Sequence, residues 1–357
     1  MTMSSDLSND LQKKLEHCFD NNIAVNIAGH GSKQFYGRRV DTNLEVLDTS
    51  QHHGIISYQP TELVITARSG TPLSEIESAL DENNQMLAFE PPQFNGKGSI
   101  GGMVACGLSG PARPFAGAVR DAVLGVSCIN GKAEKLVYGG QVMKNVAGYD
   151  ISRLMAGSMG TLAVLLDVSI KVMPKPEREV TLVLEQNAQQ ALDSWRKLGS
   201  QALAISASCQ HDDQLYIRVS GNSAAVKHAQ AIIGGEEHKT GTQFWQQLRD
   251  LELEFFNDPR PLWRLSLAPS NMILNISGDT LIDWAGAQRW IKTNESAEVV
   301  RQLCESHGGH ATLFNPADNS IEAFHPLAPG LAKVHTQIKH AFDPAGILNP
   351  MRMTTDY

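Results

Sequence analysis

Two short glycine-bearing stretches hold the residue types that can grip an anion. In "AGHGSK", Gly29, His30, Gly31, Ser32 and Lys33 set two glycines, an imidazole, a hydroxyl and an ammonium side by side. Glycines let backbone N–H groups turn inward and approach a ligand closely, while the serine and lysine add side-chain donors. In "GKGSIGGMVACGLSG", Gly98, Gly101, Gly102 and Gly107 alternate with small residues, and Ser99 and Ser109 stand near either end. This second stretch reads as the start of a helix whose N–H groups and dipole face a phosphate. Each loop taken alone is equally well explained as a turn. Two of them in one half of a chain point to a pyrophosphate, and hence to a dinucleotide.

A third cluster lies downstream. "HGGHATLF" places His307 and His310 on either side of a glycine pair, where imidazoles suit proton transfer. A glycine turn with packed histidines accounts for them equally well. No third ligand is near in sequence, so the pair is not expected to bind a metal. "GKGSIG" also matches G-x-G-x-x-G with Asp121 downstream, but the preceding "FEPPQFN" contains two prolines and cannot be the central strand that a Rossmann fold requires.

The elements that must position these residues follow from periodicity. Leu7, Leu11, Leu15 and Phe19 lie on one helix face, and "NIAVNIAG" is a buried strand running into the first loop. "ELVITA" (62–67) is a strand, and Thr71 followed by Pro72 reads as a cap and first helical position ahead of Leu73, Ile76 and Leu80. Asn130-Gly131 predicts a hairpin between "AVLGVSCI" and "EKLVY". A helix over 149–155 and a long strand over 161–173 follow, and Pro174 and Pro176 mark a boundary. Beyond it, strands at 179–185, 202–208 and 214–220 alternate with helices at 189–198 and 224–233, an α+β pattern. The final helix aligns Leu331, Val334, Ile338 and Phe342.

Composition agrees with two packed units. The 357 residues are 42% hydrophobic and 19% charged, with 14 of the 30 glycines between Gly96 and Gly160 and all five tryptophans in the second half. A net charge of -8 argues against a polyanionic partner. Five dispersed cysteines without a C-x-x-C pair argue against a disulfide framework or an iron-sulfur cluster held by this chain. The N-terminal stretch has no signal-peptide core and no apolar run is long enough to span a bilayer, so a soluble, cytoplasmic protein is expected.

From residue 20 to 175 the order of these phrases, ending in "GGQVMKNVAGYDISRLMAGSMGTLAVLLDVSIKVMP", resembles the FAD-binding domain of the vanillyl-alcohol oxidase (PCMH-type) flavoproteins. "GGQVMKNVAGYD", "GGMVACGLSGP" and "GGHATLF" are similar to the FAD-binding subunits of bacterial glycolate oxidases, and that resemblance extends over essentially the whole chain. It implies an α+β, two-domain PCMH-type fold: residues 1–175 bind FAD, 176–330 form an α+β cap, and 331–357 return to the FAD domain. The implied first pyrophosphate loop is Gly29 to Lys33. Thr71 and Pro91 border the cofactor, and Gly98, Ser99, Gly101, Gly102, Gly107 and Ser109 line the second loop. Val164 offers backbone hydrogen bonds to the ribityl or flavin part, and Asn349 brings the chain end back to the flavin. Relatives that tether flavin through a histidine carry it where Gly31 stands here, which implies non-covalent FAD.

The implied activity is oxidation of glycolate or another 2-hydroxy acid, with His307 and His310 as candidate catalytic residues, although "HGGH" lacks the full histidine and arginine pattern of the sister catalytic subunits. The implied partners are a paralogous catalytic flavoprotein and an iron-sulfur subunit, with peripheral membrane association through them left open. Two alternatives stand beside this reading: a flavin electron-relay or assembly subunit without its own turnover, and a stand-alone D-lactate-type dehydrogenase.

Overall fold

A computed structural model describes residues 5–140, 150–270 and 272–356. The opening helix α1 (Ser8–Asp20) buries Leu11, Leu15 and Cys18 against β1 (Val25–Ala28) and β2 (Glu45–Asp48), which pair in parallel. Five further strands, β3 (Ile55–Gln59), β4 (Val64–Arg68), β5 (Val123–Asn130), β6 (Lys135–Gly139) and β7 (Ala163–Lys171), form an antiparallel sheet in the order β3-β4-β7-β5-β6. Central β7 is buried on both faces, which is why its sequence is almost continuously apolar rather than alternating. Helices α2 (Leu73–Asp81) and α3 (Ile100–Cys106) cover one face with Leu73, Ile76, Leu80, Ile100 and Met103.

Two local expectations are corrected here. Pro72, not Thr71, is the cap of α2, and no side chain caps it. Thr71 is fully buried and its Oγ1 accepts the Gly54 N–H at 2.9 Å, so its hydroxyl is committed to the neighbouring turn. The β5–β6 hairpin is present, but its positive φ falls on Ala133. Asn130 Oδ1 accepts the N–H groups of Lys132 and Glu134, both at 3.0 Å, so a side chain organises the loop instead of an Asn-Gly two-residue turn. Of the helix expected over 149–155, Ile151–Leu154 is helical; Tyr149 and the phrase from Gln141 onward lie outside the described residues.

The second half builds one antiparallel sheet from eight strands: β8 (Arg178–Glu185), β9 (Ile205–His211), β10 (Gln214–Gly221), β11 (Glu236–Glu237), β12 (Leu262–Ser266), β13 (Asp279–Asp283), β14 (Gln288–Lys292) and β15 (His310–Leu313). Their order is β11-β8-β10-β9-β13-β14-β12-β15. Helices α4 (Ala188–Gly199) and α5 (Ser223–Ile233) pack on one face. The other face meets the first half through Ala207, Cys209, Leu281 and Trp290, joined by Tyr36, Leu108, Phe314 and by Phe244, Trp245 and Leu248 of α6 (Gly241–Asp250). Helix α7 (Ala297–Ser306) precedes β15. Sequence reading reached β8 to β10 and missed β12 to β15.

Helix α8 (Pro329–Phe342) uses only half of its apolar stripe. Ile338 and Phe342 pack on the first core, whereas Leu331 and Val334 are exposed. At its end a buried ion pair anchors the chain. Lys339 Nζ lies 2.7 Å from Asp343 Oδ2 and donates to the Thr161 and Leu348 carbonyls, each at 2.8 Å, while Asp343 accepts the N–H groups of Ile347 and Leu348. Every polar contact this pair needs is supplied, as burial of charge demands.

Candidate functional site

The loop after β1 and the start of α3 converge on one cavity of about 100 Å³. Gly29, His30, Gly31, Ser32, Lys33, Ser99, Gly102 and Asn349 line it. Ser99 joins the two loops: its Oγ caps α3 by accepting the Gly102 N–H at 3.3 Å, and a Cβ placed on either Gly29 or Gly102 would stand 3.2 Å from the same oxygen. Glycine keeps this floor open to a ligand.

Two cations face the cavity. Lys33 is 6% exposed and Arg352 7%, and among the described residues neither has a carboxylate within ion-pair distance. Burial lowers the pKa of both, and burial raises that of the neighbouring Cys106 thiol. Desolvated cations without a counter-ion are costly, and an anion filling the cavity removes that cost. These residues fit the diphosphate of a dinucleotide. Arg352 was not expected from sequence; its guanidinium donates to the carbonyls of Arg38, Lys33 and Gln34, shaping the loop. The signal available was an arginine just after Asn349 in "NPMRM". Asn349 itself ties β1 to the turn before β7, accepting the Ile27 N–H at 2.6 Å and donating to the Met159 carbonyl at 2.7 Å.

Other expected cofactor contacts lie elsewhere. A Cβ on Gly101 would stand 2.6 Å from Ser69 Cβ, so Gly101 faces the turn after β4 and serves close packing, not the ligand. Gly98 packs against Leu73, and Gly107 ends α3 in a left-handed conformation beside Gly157. Thr71 is bonded to Gly54, as above, Pro91 is buried in the loop before α3, and Val164 sits in the core between β7 and α1. None of these lines the 100 Å³ cavity.

Ser109 instead borders a second, narrower cavity of about 20 Å³ between the eight-stranded sheet and the loops that flank α3, room for about one water. Phe94, Leu108 and Gly110 form one wall, and Arg264, Asp283, Gln288, Trp290 and Phe314 the other. Arg264 lies over the Tyr36 and Phe314 rings at 5.6 and 5.5 Å and donates to Tyr36 OH at 3.0 Å. Among the described residues no carboxylate pairs with it. Asp283 accepts the Trp284 N–H at 2.6 Å and the Gln288 side-chain N–H at 3.2 Å. Its pKa is pushed up to about 8, first by burial and then by the charge of Glu90, against those two hydrogen bonds and Arg218. The turn after it is strained, with φ of 53° at Trp284 and 52° at Ala285. It carries the Trp284 indole across to the first half, donating to the Gly110 carbonyl at 3.0 Å, with Arg113 stacked 4.5 Å from the ring.

The candidate catalytic histidines are not in this cavity. His307 ends α7 with Nδ1 2.8 Å from the Leu303 carbonyl, a helix-end role. His310 begins β15 opposite Ser266, diagonal to Arg264 on the same sheet face, and remains exposed at the rim. Partial desolvation, then the charges of Arg264 and His325, lower its pKa. Among the described residues, no group of three or more His, Cys, Asp or Glu side chains could hold a metal, and no helix is long and apolar enough to cross a membrane.

Residues 7–137 match the FAD binding domain family. Rat mitochondrial D-2-hydroxyglutarate dehydrogenase is 31% identical over 173 residues, covering 48% of this chain and 32% of that protein. Glycolate oxidase subunit GlcD of Bacillus subtilis is 26% identical over 176 residues, 49% of this chain and 37% of that one. In fold, the chain resembles p-cresol methylhydroxylase with a TM-score of 0.73 at 13% identity, over 99% of this chain and 89% of that one. Glycolate oxidase subunit GlcE of Escherichia coli is 44% identical over 353 residues, 99% of each chain. Taken with the two-loop cradle, this places the chain in the glycolate oxidase GlcE family, carrying an FAD-binding domain on a PCMH-type α+β fold.

Proposed function

We propose that this chain is the FAD-carrying subunit of a glycolate oxidase complex that converts glycolate, or a related 2-hydroxy acid, to the 2-oxo acid. The observation that carries the reading is the pair of buried, counter-ion-free cations in the glycine-floored cavity. Bound FAD supplies a hydride acceptor for the substrate carbon. Gly29, His30, Gly31, Ser32, Ser99 and Gly102 bind the diphosphate through backbone and hydroxyl donors, and Lys33 and Arg352 neutralise it. Asn349 fixes β1 against the cradle, and Arg264, which has no carboxylate partner among the described residues, is suited to a substrate carboxylate. Gly31 offers no side chain for tethering, so FAD is held non-covalently.

The five cysteines are free and unclustered. Electrons therefore leave through another chain, for which an iron-sulfur subunit alongside a paralogous catalytic flavoprotein is the proposed arrangement. "Subunit" in the names of the GlcE and GlcD relatives supports a hetero-oligomer. A cytoplasmic location, at most peripheral at the membrane through those partners, accords with the lack of a spanning helix among the described residues.

Purified protein should carry about one FAD per chain, all of it released into the supernatant by acid precipitation. A chain that binds no flavin overturns the reading, and flavin that stays with the precipitate overturns non-covalent attachment. The narrowness of the cavity at Ser109 favours a second reading, in which this subunit relays electrons without turnover of its own. Adding glycolate without oxygen separates the two: a flavin that bleaches in the isolated chain supports turnover, and one reduced only with partners present supports the relay.

A further inference from the structure

Asp250 is an unexpected residue at its position. It ends α6 in the second half, where the partial negative charge of a helix C-terminus disfavours a carboxylate. Its side chain is 10% exposed, and both of its oxygens are engaged. Oδ2 accepts from Arg249 Nε and Nη2 at 3.1 and 2.6 Å. Oδ1 crosses to the first half and accepts the backbone N–H groups of Gln93 at 2.6 Å and Phe94 at 3.2 Å. The Gln93 side chain is held as well, donating to Glu77 Oε2 of α2 at 2.5 Å.

The segment so held is strained. Phe94, Asn95 and Gly96 take φ of 49°, 61° and 70° in succession. Glycine and asparagine tolerate this region, but a phenylalanine adopts it only where its surroundings impose it. The two bonds to Asp250 meet the backbone at the first left-handed residue and at the one before it. This turn leads the chain towards Ser99 of the cradle and aims the Phe94 ring at the other cradle loop. The ring stands edge-on to Phe35, with centroids 5.1 Å apart, and Lys33 Nζ lies over it at 5.5 Å. Lys33 Nζ also reaches Ser32 Oγ at 3.3 Å. Burial lowers the Lys33 pKa, and Cys106 and then Asp250 oppose that shift.

We propose that Asp250 is a positioning residue for the cofactor: from the second half it fixes the turn at Gln93 to Gly96, and so holds Phe94 beneath Lys33 with the ammonium facing the diphosphate. The proposal rests on the reading of the cradle as the diphosphate site of FAD. The FAD binding domain match covers residues 7–137, so the group that sets this cation comes from outside the matched region. Docking of the second half and completion of the cradle are then one event. Charge and geometry act in opposite directions at Asp250. A carboxylate near the cradle repels a diphosphate, so a residue acting by charge alone would tighten binding when removed. A residue acting as hydrogen-bond acceptor would weaken binding when truncated, and asparagine, whose Oδ1 can accept the same two N–H groups, would replace it.

Fluorescence titration of the cofactor-free full-length chain with FAD separates these roles. Asp250→Ala should bind FAD about ten- to a hundred-fold more weakly, and Asp250→Asn should stay within about three-fold of wild type. Tighter binding by both variants, equal weakening of both, or unchanged affinity in a folded Asp250→Ala overturns the proposal; the last is what a merely structural role gives. Independently of flavin, hydrogen exchange at the Gln93 and Phe94 amides of the cofactor-free chain should be slow in wild type and Asp250→Asn, and at least about ten-fold faster in Asp250→Ala. Equal exchange in all three overturns the proposal even if FAD binds. Faster exchange confined to Asp250→Ala supports the hold on the turn even if the chain binds no FAD, an outcome that sinks the cofactor reading instead. Should Asp250→Ala not fold, Phe94→Leu keeps the bulk and removes the ring beneath Lys33. It should weaken FAD binding about three- to ten-fold, and unchanged affinity overturns the proposal.

Discussion

The cradle beside β1 and the cavity at Ser109 both gather polar groups, yet they are made differently. In the cradle the donors are largely backbone groups from two contiguous loops, floored by glycine and completed by Lys33 and Arg352. In the second cavity the polar atoms are side chains from β12, β13 and β14, each separated from the next by a turn or loop, and they face Ser109 and Gly110 of the first half. Backbone donors bind any suitably shaped anion and leave little room for chemical choice. Side chains projecting from a rigid sheet can be exchanged one at a time, which suits the part of a flavoprotein family that varies with substrate or partner. The first region is therefore set by local backbone, and the second by side chains gathered from separate strands.

This contrast can be broken or sharpened by substitution. The largest effect is expected at Lys339, whose removal strands the Asp343 carboxylate in the core. Lys339→Met should lower stability by about 3–5 kcal/mol, read by denaturant unfolding, and should release FAD because Leu348 and Asn349 lose their anchor. Retention of both stability and FAD would show that the cradle does not depend on the chain end. Next, Lys33→Met should weaken FAD binding by about 1.5–3 kcal/mol, roughly ten- to a hundred-fold, while leaving the cofactor-free chain as stable as before or more so, since an unpaired buried charge is removed. Fluorescence titration of the apoprotein would measure the first effect and thermal unfolding the second.

Two adjacent glycines make a finer test. Gly101→Val should lower stability by about 1–3 kcal/mol through its clash with Ser69. Gly102→Ala meets only Ser99 Oγ and should act on FAD affinity instead of on the fold. Equal effects of both on unfolding would erase the distinction between packing glycine and cradle glycine. The last test, at the sheet face, reads a trend with pH. Asp283 has an ordinary value of 3.8 when unfolded and about 8 in the fold. Its raised pKa adds stability that is complete below pH 3.8 and is lost as the pH rises through about 8. Wild type should thus lose up to about 1.4 kcal/mol per pH unit relative to Asp283→Asn across that window. Parallel unfolding curves with no pH trend in the difference would contradict the assignment.

Much of the nucleotide side is legible in the sequence because local rules suffice there. A strand ending in glycines, a serine ahead of a small-residue helix, and a lysine at the end of the first loop all imply their neighbours' positions. What sequence could not distinguish is which side of a short helix a given glycine faces. Gly101 and Gly102 are about 100° apart around its axis, and only the location of Ser69 decides between them. Thr71 and Val164 are buried in a turn and in the core, outside the cradle cavity, and that burial leaves no sign in the residue type. Arg264 and Asp283 were invisible because their strands were not foreseen, and a charge in an unrecognised strand looks like a charge on a surface. His307 and His310 attracted notice by spacing, but a tight turn at a helix end produces that spacing as readily as a proton relay does.

One contact also governs the order of events during synthesis. Ile27 and Asn349, which meet at the cradle, are 322 residues apart, and the parallel bridge between Val25 and Leu348 closes the same loop. A ribosome can finish every glycine of the cradle long before it supplies the asparagine and arginine that complete it. Such a non-local closure is slow and comes late. Cofactor capture should therefore wait until those residues have emerged, and until then the nascent chain must keep β1 unpaired on that side, a window in which a chaperone or a partner chain has its best opportunity to engage.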